Sequence, residues 1–364
     1  PDFQTYNIWG NNTYITNFNF SGANTGVQTF PAATYGTMVL SNGGLNKKIA
    51  GGNMTVVGNF TLTSGSFDDG GYTVEMYRNL ANNVAVGGAS SGISSTGAGK
   101  ILLTGGIAGT HAISAAATPA AFGNMELSDG TGASFTNSAA LTTINGNLTV
   151  TNGTLSLNSF ATSLTVTGNT TVASGANLSF GSATGSKIFN NVTNNGIWYE
   201  SSAPLITFNG DLENNGTFTA SSGTHTFAGT SKELRGSSFV AIPNVSITGT
   251  YTNKLTGSYS LLNGGPGFIA VGGFRVTSSW AAGSGTLTQF SNALFINSPS
   301  SITPNLVASA TGNTVVYTNN SATSIKVPSG GSYYNLLLNP LSGVDYSLTG
   351  ATNIGNNLTF YPSI

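Results

Sequence analysis

Apolar residues in this chain come in pairs set two positions apart. Leu148 and Val150, Leu155 and Leu157, and Leu164 and Val166 each flank one small polar residue, the spacing of a short strand with a single buried face. Between the pairs stand Asn145-Gly146, Asn152-Gly153 and Gly168-Asn169, residues that accept the backbone angles of tight corners. From Ile144 to Phe180 the pattern predicts strand and turn in alternation, with strands too short and too regularly broken for an ordinary two-layer sheet. The stretch also repeats itself. Leu148 is echoed at Val172, Leu155 at Leu178 and Leu164 at Ile188, at separations of 172−148=24, 178−155=23 and 188−164=24. A rung of about two dozen residues carrying three short strands is the signature of a parallel β-solenoid.

A longer repeat lies over the rungs. Tyr35-Gly36-Thr37-Met38-Val39-Leu40 returns as Phe122-Gly123-Asn124-Met125-Glu126-Leu127, as Pro243-Asn244-Val245-Ser246-Ile247 and as Tyr333-Tyr334-Asn335-Leu336-Leu337-Leu338. Each copy is followed by a second motif: Gly58-Asn59-Phe60-Thr61-Leu62, Gly146-Asn147-Leu148-Thr149-Val150, the degenerate Gly272-Gly273-Phe274-Arg275-Val276, and Asn356-Asn357-Leu358-Thr359-Phe360. Residues 1–364 thus read as one continuous solenoid with units near 31–120, 121–240 and 241–330 and a partial unit 331–364. Residues 1–30, rich in aromatics, read as the tail of a preceding unit. Ile364 falls just after another copy opens, so the sequence reads as a section of a longer polypeptide. The Ala- and Gly-rich segment 79–120 and the segment 259–303, with Gly-Gly-Pro-Gly at 264–267, are the expected sites of bulges or protruding loops. No stretch of ten or more residues keeps a helical period, so helix content near zero is expected.

Composition sharpens this picture. Charged residues make up 6% of the chain and hydrophobic ones 39%, so amides and hydroxyls solvate a packed interior rather than a disordered chain. A net charge of −1 and no basic run beyond Lys47-Lys48 leave no electrostatic footprint for nucleic acid or anionic lipid. The absence of cysteine removes disulfides and thiolate metal sites and suits an exposed protein. No apolar run approaches the roughly 18 residues of a membrane-spanning helix, so direct membrane insertion is not expected.

The stretch Phe208–Thr230, FNGDLENNGTFTASSGTHTFAGT, together with the N-L-T-V-x-x-G-T-L-x-L pattern of Asn147–Leu157, resembles the repetitive β-helical regions of giant cell-surface adhesins of gliding Bacteroidota, exported through the type IX pathway. More distantly it resembles filamentous-haemagglutinin-like passengers. The likeness covers roughly residues 31–364 and specifies a scaffold, not a site. It implies an extracellular, outer-membrane-attached protein that adheres to a surface polysaccharide or substratum and in gliders moves with the motility machinery. Secretion and anchoring machinery would engage parts of the chain not present here. The Gly-Gly-Pro-Gly segment and the longer second unit depart from the family pattern, and no sorting domain is recognisable.

Candidate chemistry is sparse. Asp68 and Asp69 lie in Phe67-Asp-Asp-Gly-Gly, where the first reading is a turn whose aspartates cap backbone amides. A calcium site there is the rival reading, with only two local carboxylates to serve a cation that wants several oxygens. No other cofactor is expected. Asp211 and Glu213, two apart on one strand face with Lys232 and Glu233 about a rung later, read as ladder-wise charge pairing rather than a catalytic couple. His111 and His225 are isolated, and His225, between Thr224 and Thr226, is expected to point outward. The Asn-x-Ser/Thr triplets follow from the strand pattern itself, and recurrent Asn is expected to form amide ladders between rungs. Trp9, Trp198, Trp280 and the 13 tyrosines read first as core fillers, and as sugar-stacking platforms where exposed.

The sequence therefore predicts a right-handed parallel β-solenoid (β-helix) of about 15 rungs of roughly 23 residues, with tandem immunoglobulin-like β-sandwiches as the alternative fold. The predicted role is the adhesive shaft of a large surface adhesin, without an enzyme site. About 15 rungs spaced ~4.8 Å apart would span roughly 70 Å. A polysaccharide-binding or polysaccharide-cleaving β-helix is the rival function; it needs several carboxylates and basic residues across adjacent rungs. An ice-binding face needs ranked Thr-x-Thr pairs, and those at Thr149, Thr165, Thr217, Thr224 and Thr248 are spaced irregularly.

Overall fold

The computed structural model describes residues 18–20, 27–40, 47–82, 92–93, 98–105, 109–115, 120–135, 142–157, 163–181, 185–261, 268–319, 321–340 and 344–360. Among them every regular element is a β-strand. The strands stack in parallel, rung on rung, as a β-solenoid of about 12 turns rather than 15. Parallel pairing across rungs excludes the immunoglobulin-like alternative, whose sheets are antiparallel. The chain forms two compact units, Pro1–Gly168 and Asn169–Ile364.

In the first unit each turn contributes strands to three walls. One wall runs Met38–Leu40, Phe60–Leu62, Leu80–Asn82, His111–Ala115, Ala133–Phe135, Thr154–Ser156, and the next Met54–Val56, Thr73–Met76, Lys100–Leu103, Asn124–Ser128, Leu148–Asn152. The period-2 pairs face inward as expected. Leu148 stacks on Met125 and Val150 on Leu127, and Leu164 and Val166 pair in register with Thr142 and Ile144. All four of Leu148, Val150, Leu164 and Val166 are buried. Each fully buried aliphatic side chain of this kind contributes about 1.5–3 kcal/mol.

The long repeat has a structural meaning here. Met38-Val39-Leu40 pairs in register with Phe60-Thr61-Leu62, and Met125-Glu126-Leu127 with Leu148-Thr149-Val150. The two motifs are consecutive rungs of a single wall. Yet the two copies occupy different walls, because an apolar-polar-apolar triplet is what any wall of a solenoid demands. The described part of the segment 79–120 is wall, not protrusion. Leu80 pairs with Ile113, a step of 113−80=33, against 80−60=20 from Phe60 to Leu80; residues 83–91, 94–97, 106–108 and 116–119 lie outside the described residues.

The second unit begins with three walls, but one of them, Asn177–Phe180, Ile197–Glu200, Thr217–Thr219, gains no further strand. From Lys232 to Tyr317 the described wall strands alternate between two sheets, and beyond Tyr317 Thr323–Ile325 and Tyr346–Leu348 pair in parallel as a separate two-stranded sheet. An aromatic stack fills the interior here: Trp198 lies flat on Phe218 at 5.5 Å, Phe208 on Phe227 at 5.2 Å and Phe274 on Phe295 at 5.7 Å. Such pairs add about 0.5–1.5 kcal/mol each beyond area burial.

The segment 259–303 does carry an irregularity. Gly257–Leu261 and Phe268–Gly272 form an antiparallel hairpin arm that leaves the parallel ladder; its tip, with Gly-Gly-Pro-Gly, is outside the described residues. Where Tyr259 and Ala270 pack, the outer face of the adjoining wall is itself apolar: Leu294, Ile296, Val316 and Leu337 are all buried there, with Phe239 alongside. Both faces of Leu294–Asn297 and Thr314–Tyr317 are therefore covered.

One echo is displaced. Ile188 is only half-buried, and Lys187 and Phe189 are the inward residues of Ser186–Phe189. A change of rung length by an odd number of residues reverses which side chains enter the core.

Candidate functional site

Asp68 and Asp69 sit in the turn the sequence indicates, but both are buried. Asp68 Oδ1 accepts the Gly70 amide at 2.8 Å and Asp69 Oδ1 the Gly71 amide at 3.0 Å, while the Lys47 ammonium pairs with Asp68 Oδ2. Gly70 and Gly71 have φ of 64° and 86°, and a Cβ on Gly70 would lie 2.2 Å from the Ala50 carbonyl oxygen. A backbone amide thus holds one oxygen of each carboxylate, and Lys47 the other oxygen of Asp68. Among the described residues no three His, Asp or Glu side chains form a metal-sized group.

Asp211, Glu213 and Glu233 share one exposed wall, but the cation that joins them is Arg235, not Lys232. Its Nε donates to Glu213 at 2.9 Å and its Nη1 to Asp211 at 2.9 Å and Glu233 at 3.4 Å; Lys254 Nζ adds 2.6 Å to Glu233. Hydrogen bonds from Asn215 and then Arg235 hold the Glu213 carboxyl below the usual range. A retaining or inverting glycosidase needs one carboxyl kept protonated, and the surroundings of Glu213 do the opposite.

The histidines correct the sequence reading. His225 is fully buried, not outward. Its Nε2 lies 2.9 Å from Glu200 Oε1 and its Nδ1 3.1 Å from the Gly223 carbonyl oxygen. Trp198 Nε1 donates to the same Glu200 oxygen at 2.7 Å, and the Ser221 amide to the other at 2.9 Å. His111 repeats the arrangement, with Nδ1 2.8 Å from the Arg78 carbonyl oxygen and Nε2 3.0 Å from Asp129 Oδ2. Each ring nitrogen lies within hydrogen-bond distance of an oxygen. Both are internal networks, with His111, Asp129, Glu200 and His225 all buried. Trp198 serves this network and the aromatic stack; Trp280 is half-buried, its Nε1 donating to Asn297 at 2.8 Å. Trp9 lies outside the described residues.

Asn ladders form as expected: Asn194 Nδ2 donates to Asn214 Oδ1 at 2.8 Å inside the second unit, and Asn215 to Asn195 at 3.0 Å on its surface.

Two groups escaped the sequence reading. Lys187 is buried on an inner face, its Nζ donating to the Gly185 carbonyl at 2.9 Å, and burial pushes its ammonium down to about 8. Arg275 projects from the outer face of Phe274–Trp280 beside the foot of the hairpin arm. It is half-buried, and burial lowers its guanidinium from the usual range. Its Nε is sealed from solvent without a hydrogen-bond partner, and its Nη2 makes one long bond, 3.4 Å, to Ser298 Oγ. Ser298 Oγ in turn lies 2.9 Å from Thr318 Oγ1 in the next rung. The only sign in the sequence was a lone arginine in the degenerate copy of the second motif. Comparison with protein-family models, curated proteins and solved structures found no match for this chain.

Proposed function

We propose that this chain is a non-catalytic, adhesive shaft segment of a large extracellular cell-surface protein, presenting binding regions for attachment to a polysaccharide or substratum. The observation that carries this reading is the parallel ladder itself, in which each rung buries its own apolar pairs and templates the next, so length is gained by repetition. The state of the acids supports it. Glu126, Glu200, Asp129, Asp68 and the Asp211/Glu213/Glu233 group are each tied to a cation, a histidine or backbone amides. Export by the type IX pathway and anchorage in the outer membrane of a gliding bacterium extend the same proposal, and rest on the resemblance of Asn147–Leu157 and Phe208–Thr230 to such adhesins. Binding belongs to the irregular segments, since recognition needs convergent groups that flat walls of Ser, Thr and Asn do not offer.

Antibodies raised against the chain should label intact cells, external protease should remove the label, and beads coated with the chain should adhere to glycan-bearing surfaces. An antigen reached only after lysis, or polysaccharide cleavage that disappears on Asp211→Asn, would overturn the reading.

A further inference from the structure

Four of the ten Lys and Arg side chains, Lys47, Lys100, Arg235 and Lys254, lie within ion-pair distance of a carboxylate. Arg275 does not. Of the 11 acidic residues only Asp2 falls outside the described residues, and none of the described acids pairs with Arg275. A half-buried guanidinium with a sealed, unbonded Nε is costly to keep, since arginine cannot shed its charge and a buried donor without a partner forfeits the hydrogen bond it made to water.

The surroundings of Arg275 suit an incoming oxyanion. In register before it stands Ala241 and after it Ile296, so one side of the guanidinium stem carries only a methyl group and the other an apolar side chain. The Ser298 and Thr318 hydroxyls continue the donor set along the wall. A planar guanidinium fork with flanking hydroxyls matches a carboxylate or sulfate. We propose that Arg275, with Ser298 and Thr318, binds the carboxylate or sulfate group of an acidic polysaccharide laid along this wall beside the hairpin arm.

A peptide is the poorer occupant. Extended peptides are recognised through a free strand edge, whereas the strands here, Phe274–Trp280 and Leu294–Asn297, are paired on both sides. Only side chains are on offer, and they suit a ligand rich in hydroxyls with isolated charges. This rests on the adhesive reading and gives it a ligand class.

The test titrates the whole chain with polygalacturonate, dextran sulfate, neutral dextran and polyglutamate, at low and physiological ionic strength. One or both acidic glycans should bind, and which one does tells carboxylate from sulfate; dextran should not. Arg275→Gln should weaken binding about ten-fold or more, Arg275→Lys less, because it keeps the charge without the fork, and Ser298→Ala least. Thermal unfolding of Arg275→Gln should be no lower than that of the unaltered chain, since a half-buried cation without a carboxylate partner has been removed. Equal binding by the unaltered chain and Arg275→Gln, no binding to either acidic glycan, or tighter binding of polyglutamate would overturn the site. Should Arg275→Gln fail to fold, Arg275→Lys and Ser298→Ala carry the same comparison. Beads coated with Arg275→Gln that still adhere fully would sink the site and leave the adhesive reading standing. Glycan binding by a chain that never reaches the cell surface would do the reverse.

Discussion

Single residues in this protein show how strictly the solenoid separates inside from outside. Lys187 enters the core of the second unit because its strand is phased by Phe189, whose ring packs edge-on against those of Phe180 and Trp198. The ammonium is carried in with it, and burial depresses its pKa from 10.5 to about 8. The unfolded chain therefore binds more protons between those two values, so this residue's contribution to stability improves as pH rises through that window. Lys187→Met should stabilise the protein most below pH 8, by up to about 3 kcal/mol, with the advantage fading towards pH 10.5. Urea unfolding of both forms at neutral and alkaline pH checks this, other titrating groups cancelling in the difference. A pH-independent difference would mean that Lys187 is not desolvated in the fold. Glu200 and His225 show the opposite solution, in which each buried polar atom is matched by a partner two residues along the chain or a rung away.

Elements interact here chiefly with the copy of themselves one turn on. Register is kept by inward pairs such as Met125 on Leu148 and by outward pairs such as Glu213 on Arg235. The hairpin Gly257–Leu261/Phe268–Gly272 is the exception, since it covers a wall from outside instead of extending it. Replacing 258–271 by a short Gly-Ser link should expose Leu294, Ile296, Val316 and Leu337 while leaving the inner aromatic stack in place. The expected result is new binding of a hydrophobic dye and a loss of several kcal/mol from the second unit, given about 1.5–3 kcal/mol for each large apolar side chain returned to water. Dye binding and stability that stay as before would show that the arm does not protect that face.

At the scale of the whole chain, charge contributes little. With 6% charged residues and outer-wall ion pairs that stay partly open to solvent, such as Arg235 with Asp211 and Glu213, stability rests on buried apolar area and on hydrogen-bonded ladders. Raising the ionic strength from low to several times physiological with sodium chloride should move the unfolding free energy by no more than about 1 kcal/mol, the worth of a few screened surface pairs. A larger loss would give the Arg235 network a structural weight that its exposure argues against.

Most of the fold was legible in the sequence because a solenoid is a local code. The pairs Leu148/Val150 and Leu164/Val166 fix which side of each strand is buried, and Asn145-Gly146 and Gly168-Asn169 mark where it must turn. Parallel stacking follows, since strands this short can bury their faces only against the next turn. The absence of helix among the described residues follows from the same period. What the sequence could not fix was whatever depends on the length of a particular corner. One residue more or fewer moves Ile188 out and Lys187 in, turns His225 towards Glu200, and brings Arg235 rather than Lys232 between Asp211 and Glu213. Likewise, the ending of one wall after Thr217–Thr219 and the docking of the hairpin on Leu294 and Ile296 leave no local signature, because a strand pairs identically whether its turn has two walls or three. The environment of Arg275 was the least legible of all, since a missing carboxylate partner is a property of the assembled walls and not of any stretch of chain.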